Sequence, residues 1–154
     1  MLQENGTLEG EGFAILAIQC TLIEFLESTV LGITYRHLRK GERLSSHEYT
    51  KSGELFVNFL TKRAPFQVEF DEALAEDFYT NVRCGLLHEA QTKNGWRVWA
   101  KGPKGASINR SQRKIYRDGF QEKLIEFVES YGTTLRTTSL LQESFIRKFD
   151  SLCL

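Results

Sequence analysis

The chain has 154 residues and a formal net charge of zero, with 41% hydrophobic and 26% charged residues. This composition is typical of a soluble globular protein, and the length predicts one domain over residues 1–154. A zero net charge excludes a protein that coats nucleic acid indiscriminately. No apolar run reaches the ~18 residues of a membrane span, and no signal peptide opens the chain. We therefore expect a cytoplasmic protein without a membrane partner.

The cysteines and histidines give no sign of a metal site. Cys20, Cys84 and Cys153 are too few and too widely separated for a disulfide framework or a zinc site, and we expect them to be buried and reduced. His37 and His47 have no partners at the spacing of metal ligands. We expect neither a metal nor another cofactor.

The first third of the chain predicts one helix and one segment without a clear pattern. The first ten residues are polar and are expected to be frayed. Apolar residues then follow a helical period from Gly12 to about Leu31. Gly32 fits the residue after the helix end, although an extension toward Lys40 is also open. The polar, basic segment 33–51 has the length of a short helix or a functional loop.

Two helices follow. Ser52 can cap a short helix that the Ala64-Pro65 pair closes. The longest, central helix is expected from about Glu69 to Ala90. Its apolar residues recur every four positions, as a core-facing stripe requires, and they are Phe70, Leu74, Phe78, Val82 and Leu86.

The periodicity changes from helical to alternating at Asn94-Gly95. Residues 94–117 are therefore predicted to form a β-hairpin or an irregular flap, with a second strand within residues 106–117. We call residues 94–117 the flap.

The last third of the chain predicts two more helices. One has an N-cap pattern at Asp118 and ends at Tyr131-Gly132. The other runs from about Ser139 to Leu152, and its apolar stripe consists of Leu140, Leu141, Phe145, Ile146 and Phe149. The predicted fold class is all-α, a bundle of about four to five helices with a small β insertion.

Arg83 and His88 lie near the end of the central helix. Arginine stays charged at any working pH, and histidine exchanges protons near neutrality. This pair suits RNA cleavage without a metal. His88 would take the proton of a ribose 2′-hydroxyl or protonate the departing 5′-oxygen, while Arg83 neutralises the charge that grows on the phosphate. The alternative is that His88 lies at the margin of the core and Arg83 is a solvated helix residue.

The two side chains cannot converge on one ideal helix. Five residues rotate by about 140° and rise by about 7.5 Å along an α-helix. Gly85, between Arg83 and His88, could relax this geometry. A two-fold partner that presents the same helix would instead bring two pairs together. We therefore predict a homodimer whose interface lies near the end of the central helix.

The string V-R-C-G-L-L-H-E-A at residues 82–90 resembles the HEPN superfamily, whose hallmark is an arginine followed after four to six residues by a histidine. The resemblance puts the family's arginine at Arg83 and its histidine at His88. It implies a small helical bundle, usually dimeric, with the pairs meeting in a cleft between two copies. Family members include toxin and CRISPR-associated ribonucleases as well as inactive binding modules. The position after the arginine is often polar in the family, whereas this chain has Cys84.

The flap and the residues just before it carry basic residues without acids. Residues 90–117 contain Lys93, Arg97, Lys101, Lys104, Arg110, Arg113, Lys114 and Arg117. We expect phosphate contacts from Lys93, Arg97, Lys101, Lys104 and Arg113. Bases are expected to stack on Trp99, with Trp96 and Tyr116 as alternatives. The same face could equally be the solvated side of a half-buried hairpin, and residues 109–117 could bind an acidic partner such as an antitoxin.

Two functional hypotheses follow from these patterns. The first is a metal-independent endoribonuclease of the toxin or phage-defence kind, which cleaves single-stranded RNA at a composite dimer site. The second is a non-catalytic dimeric HEPN-like module that binds RNA, a nucleotide or a protein partner.

Overall fold

The computed structural model describes residues 11–153, so the prediction that the first ten residues are frayed lies outside the described range. Within that range the chain forms a bundle of five helices with small strand pieces, which confirms the predicted fold class. The helices are α1 (Glu11–Leu31), α2 (Ser52–Lys62), α3 (residues 72–89), α4 (Arg117–Leu135) and α5 (Ser139–Leu152).

Helix α1 ends where the sequence predicted. Gly32 adopts a φ of 64°, and the Ile33 N–H donates to the Ser28 carbonyl at 3.0 Å, which closes the helix. A Cβ at Gly32 would lie 2.7 Å from the Ser144 backbone, so glycine also permits close packing against α5. The alternative extension toward Lys40 is wrong, because the chain turns into a short strand after Ile33.

Helix α1 is apolar almost all round. An 18-residue window within it has a mean hydropathy of 1.6, so by length and composition the helix could cross a membrane. The sequence analysis did not identify it, because polar residues interrupt its apolar run. The core helix of a bundle has the same profile, and α1 packs against α2, α4 and α5. Only 39% of that window is buried.

Helix α2 begins at Ser52, but the predicted cap is wrong. The preceding residue, Lys51, is the N-cap and makes no side-chain capping bond. The Ser52 hydroxyl instead donates to the Glu24 carboxylate at 2.7 Å. A more distant carboxylate thus takes the hydroxyl that the local pattern assigned to the helix end.

Helix α3 starts later than predicted and contains a wider turn. A 3₁₀ turn at Phe66–Val68 precedes it, and Asp71 caps the helix by accepting from the Leu74 N–H at 2.8 Å. The helix is α-helical over Glu72–Phe78 and Cys84–Glu89, with a π-turn at Tyr79–Arg83 between them. It is not the longest helix, because α1 has 21 residues and α4 has 19.

The predicted stripe of α3 is buried throughout. A strict four-residue repeat drifts by about 40° per step around an α-helix. The π-turn, in which the Cys84 N–H reaches the Tyr79 carbonyl, winds more slowly and keeps Val82 and Leu86 on the core side. Phe78, just before this turn, is the centre of the core. Its ring lies 5.5–6.1 Å from those of Phe56, Phe70, Trp96 and Phe120.

Five short strands form two small sheets. Strands β1 (Thr34–Tyr35) and β2 (Glu48–Tyr49) pair in parallel. Strands β3 (Arg97–Trp99), β4 (Ile108–Asn109) and β5 (Lys114–Tyr116) form a second sheet in the order β3-β5-β4.

The flap is present, but its pairing differs from a simple hairpin. Strands β4 and β5 are antiparallel, whereas β3 runs parallel to β5. The reason is an anchor on the core. The Ser107 N–H donates to Glu69 at 3.0 Å, and the Ser107 hydroxyl bonds the same carboxylate. Because this anchor holds the segment before β4 on the core, β4 does not pair with β3. The chain returns to β3 only as β5, which runs parallel to it.

Helix α4 differs from its predicted bounds at both ends. It begins at Arg117 without a side-chain cap, so Asp118 lies inside the first turn. It also continues past Gly132 to Leu135, because one glycine in a helix costs only about 1 kcal/mol.

Helix α5 has the predicted bounds, but most of its apolar stripe is not core. Leu140 is 74% exposed, Ile146 57% and Phe149 37%. The buried residue of this helix is Lys148, whose ammonium donates to the Ile33 carbonyl at 3.0 Å. The end of α1 therefore offers α5 a polar anchor that hydrophobic periodicity could not reveal.

Candidate functional site

Arg83 occupies the last position of the π-turn, and its side chain reaches across to α1. The Arg83 Nη2 donates to the Glu24 carboxylate at 3.1 Å, and the guanidinium carbon lies 5.3 Å from the centre of the Tyr79 ring. The side chains of Arg83 and Glu24 are each 17% exposed. Arg83 is therefore an interhelical residue, and the interpretation as a solvated helix residue is wrong.

Glu24 accepts hydrogen bonds from three parts of the chain, namely β2, α2 and α3. One of its oxygens binds Arg83, and the other accepts from the Tyr49 hydroxyl at 3.0 Å and from the Ser52 hydroxyl at 2.7 Å. We call Glu24, Tyr49, Ser52, Tyr79 and Arg83 the Glu24 cluster. Because both carboxylate oxygens are engaged, the orientation of Glu24 is fixed, and Glu24 in turn orients the Arg83 guanidinium.

The hydroxyl and thiol groups near Arg83 are held in their neutral forms. Burial raises the pKa of the Tyr49 hydroxyl well above its ordinary value, and Glu24 raises it further. Burial also raises the pKa of Tyr79, although Arg83 opposes this shift. The pKa of the Cys20 thiol rises to about 12 for the same reason, again against the pull of Arg83. At neutral pH these groups contribute no charge.

Two surface cavities border the Glu24 cluster. One has a volume of about 240 Å³ and is lined by Thr21, Glu24, Phe25, Ser28, Tyr49 and Lys148. The other has a volume of about 510 Å³ and is lined by Gly53, Glu54, Val57, Asn58, Glu72, Glu76, Tyr79 and Thr80. Burial lowers the pKa of Lys148, while Glu24 raises it. The first cavity thus combines a buried amine with several hydroxyl groups.

His88 lies in a different environment from Arg83. It is exposed in the last turn of α3, and it makes no hydrogen bond to another residue of the range 11–153. The interpretation of His88 as a residue at the core margin is therefore wrong. Within one chain the structure does not bring the two motif residues together, because Arg83 points toward α1 and His88 faces solvent.

The residues between the motif pair have structural roles. A Cβ at Gly85 would lie 2.5 Å from the Gln91 carbonyl oxygen, so glycine lets the chain fold back after the helix rather than relaxing the Arg83–His88 geometry. Cys84 is half-buried close to Tyr79 and Cys20.

The cysteines differ in burial. Cys20 is buried, Cys84 is half-buried and Cys153 is exposed, so the expectation that all three are buried is wrong. All three are free thiols.

A second carboxylate, Asp77, fastens the flap to α3. It accepts from the Trp96 indole at 2.8 Å, from Asn81 at 2.9 Å and from Arg113 at 3.3 Å. Arg113 also donates to the Asn94 carbonyl at 2.9 Å. We call these five residues the Asp77 cluster. Arg113, predicted to contact phosphate, is thus already engaged within the protein.

The other predicted RNA contacts fall into two groups. Lys93 pairs with Glu89 one helical turn before it. Arg97, Lys101 and Lys104 are exposed. Trp99 is 48% exposed, and the Lys114 ammonium lies 4.3 Å from its ring centre.

Arg97 and Trp99 alternate with half-buried Val98 along β3, so both lie on its outer face. The flap therefore presents an exposed indole beside two cations. Among residues 11–153 no group of three or more His, Cys, Asp or Glu side chains is arranged to hold a metal ion.

The sequence analysis missed Glu24, although a signal was present. Glu24 and Glu27 are the only charged residues between Gly12 and Leu31. Acids in so apolar a helix require buried partners. Glu27, 2% exposed, pairs with Arg63 through two hydrogen bonds of 2.8 and 2.9 Å.

Comparison with known proteins adds no assignment. No family model, no curated protein and no solved structure matches the chain.

Proposed function

We propose that the protein is a metal-independent endoribonuclease of the toxin or phage-defence kind, which cleaves single-stranded RNA at a composite site between two copies of the chain. The observation that carries the proposal is the state of Arg83. Glu24 orients its guanidinium through one hydrogen bond, and the other N–H groups donate to no acceptor within residues 11–153. Those groups suit the two oxygens of a phosphodiester.

The chemistry needs one proton acceptor and one cationic group. A ribose 2′-oxygen attacks the adjacent phosphorus while His88 accepts the hydroxyl proton. Arg83 stabilises the additional negative charge on the phosphate oxygens. The bond from phosphorus to the 5′-oxygen then breaks, that oxygen takes a proton from solvent water, and His88 returns the proton it accepted to the solvent. The products carry a 2′,3′-cyclic phosphate and a 5′-hydroxyl.

A second copy completes the site, because Arg83 and His88 diverge on one chain. Helix α1 supports such a dimer with an exposed apolar face, on which Ile18 is 64% exposed, Leu22 38% and Phe25 36%. Phe149 of α5 continues this face, with its ring centre 6.3 Å from that of Phe25. The exposed residues of α1 from 14 to 25 carry no charge, so this face can meet itself without repulsion.

This face adjoins the Glu24 cluster, because Phe25 and Glu24 line the same cavity. We therefore propose that the dimer interface extends from the end of α3 over α1 and α5, because His88 of one copy must reach Arg83 of the other. The outer face of β3 would hold the RNA, with Trp99 as a stacking surface and Arg97 and Lys114 beside it for phosphates.

Two features favour the second candidate, a non-catalytic dimeric module that binds RNA, a nucleotide or a protein partner such as an acidic antitoxin. Glu24 already pairs with Arg83, and Cys84 stands where the HEPN family often has a polar residue. In that case the Arg83–Glu24 pair would be a structural link between α3 and α1.

A cleavage assay in EDTA separates the two candidates. Purified protein is incubated with mixed single-stranded RNA, and the fragment ends are analysed. We expect 2′,3′-cyclic phosphate ends, and a loss of about 10²–10⁴-fold in rate for His88→Ala. Glu126→Ala, at an exposed position of α4 outside the flap and the proposed interface, serves as the control and should retain the rate. If the RNA stays intact in EDTA, the nuclease is refuted and the binding module is the remaining candidate.

A further inference from the structure

The segment between β1 and β2 is a basic loop whose ends are held together. Strand pairing joins Thr34 to Glu48 and Tyr35 to Tyr49, and residues 36–47 project between these two strands. We call residues 36–47 the basic loop. Compact loops with closed ends frequently carry function. This one contains four cations and a single acid, namely Arg36, Arg39, Lys40, Arg43 and Glu42.

The basic loop is braced by carboxylates at its base and near its tip. Glu48 accepts from the Ser45 N–H at 2.8 Å and from Arg36 at 3.1 Å. The Glu42 carboxylate accepts from the Arg39 N–H at 3.2 Å. The Glu42 N–H donates back to the Arg39 carbonyl at 3.0 Å.

The tip is a tight turn that glycine permits. Gly41 adopts a φ of 90°, as the third position of a type II turn requires. Arg39 and Lys40 occupy the first two positions of this turn. The backbone of the loop is therefore fixed, and its side chains are presented outward.

Three of the four cations in the basic loop form no ion pair with the acids that hold the loop. Arg36 forms ion pairs with Glu42 and Glu48. Arg39, Lys40 and Arg43 are exposed and have no acidic partner within 4.0 Å in the described part of the chain. Three exposed cations on a fixed loop suit a chain of phosphates.

The base of the basic loop is linked to Arg83 through Glu24. Tyr49, at the loop base, donates to the same Glu24 carboxylate that binds Arg83. A loop of this length keeps its tip within about 20 Å of its base. Tyr35, which is 49% exposed and packs edge-on against Tyr49, adds an exposed aromatic ring at the base of the loop.

We propose that Arg39, Lys40 and Arg43 of the basic loop bind the phosphates of a single-stranded RNA and lead the strand to Arg83. This inference rests on the proposed function, because it adds to the outer face of β3 a second surface that binds the phosphates of the same substrate. Glu24 links the base of the loop to Arg83, so a ligand bound to the loop lies beside the proposed cleavage site. This position favours RNA, the substrate of that site, over an acidic protein.

The test is a binding experiment that does not depend on cleavage. Arg39→Gln/Arg43→Gln is compared with Lys62→Gln/Arg136→Gln, both in the His88→Ala background. Lys62 and Arg136 are exposed and lie outside the basic loop and the flap, so the control removes the same charge. The probe is a fluorescent oligouridine, followed by anisotropy between about 50 and 200 mM salt.

We expect the loop variant to bind the probe about tenfold more weakly than the control at the low-salt end. The slope of log K against log salt should fall by about 1.4, since each phosphate contact of a single strand contributes about 0.7. Equal affinity and equal slope for the two variants would overturn the proposal. Absence of binding by both variants would overturn it too, as would competition by polyglutamate as strong as that by RNA.

A cleavage assay with His88 present separates this inference from the proposed function. Loop-dependent binding without cleavage supports the loop and refutes the nuclease. Cleavage by the wild-type protein with loop-independent binding supports the nuclease and refutes the loop.

Discussion

Two carboxylates, Glu24 and Asp77, each gather an arginine and several neutral donors, yet the two clusters differ in what they leave unused. At Asp77, Arg113 makes two hydrogen bonds, one to Asp77 of α3 and one to the Asn94 carbonyl of the flap. At Glu24, Arg83 makes a single hydrogen bond, and its neighbours Glu24 and Tyr79 each line a cavity. An arginine–carboxylate pair by itself therefore indicates neither a structural nor a functional role. The donors that remain, and the space beside them, distinguish the two.

The largest expected difference between the clusters is in cleavage rate. Arg83→Gln should lose about 10²–10³-fold, because the phosphate charge would go uncompensated in the transition state. Arg83→Lys should recover part of this, since a point charge lacks the guanidinium fork. Arg113→Gln, the matched change in the Asp77 cluster, should leave the rate nearly unchanged. Single-turnover assays measure all three, and an equal loss at both positions would remove the distinction.

The next expected effect is on stability, and here the Asp77 cluster should dominate. Asp77→Ala leaves the buried Trp96 indole without its acceptor and releases Asn81 and Arg113, which should cost about 2–4 kcal/mol. Glu76→Ala, on the exposed face of the same helix, should stay within about 0.5 kcal/mol. Urea denaturation gives both values. If the two variants are equally stable, Asp77 does not hold the flap.

The smallest expected effect concerns Tyr49 and depends on pH. Tyr49→Phe removes one hydrogen bond to Glu24, which should cost about 1 kcal/mol near neutrality. The pKa of Tyr49 in the folded protein lies above that in the unfolded chain. The contribution of the Tyr49 hydroxyl to the free energy of unfolding is therefore complete below about pH 10. It is lost as the pH rises through the pKa of Tyr49 in the folded protein.

The free-energy difference between the wild type and Tyr49→Phe should accordingly narrow above about pH 10. Thermal unfolding between neutral and alkaline pH measures this difference. A difference that widens with pH would show that the Tyr49 hydroxyl is not held neutral by the fold.

The sequence predicted the elements that depend on local pattern. The end of α1 at Gly32, the buried stripe of α3 and the bounds of α5 follow from periodicity and glycine chemistry, and each is confirmed. The failures have a common cause. Ser52, predicted as a cap, and Ser107, within the predicted second strand, bond carboxylates that are distant in sequence. No local pattern contains those partners.

Only part of the candidate site could be predicted from the sequence. The motif identified Arg83, but its partner Glu24 lies 59 positions away, and only the two acids of an apolar helix pointed toward it. The π-turn at Tyr79–Arg83 was not predicted, since an amphipathic repeat does not report a change of helical pitch. The basic loop was recognised by charge, whereas its connection to Arg83 through Tyr49 required the tertiary structure.

The most direct test of the central claim mixes two inactive variants. In a composite site, Arg83 of one copy acts with His88 of the other. Arg83→Gln and His88→Ala, each inactive alone, should then form mixed dimers that hold one intact site. After subunit exchange we predict cleavage at about a quarter of the wild-type rate, since random pairing makes half of the dimers mixed. A mixture as inactive as either variant alone would contradict a site shared between two copies.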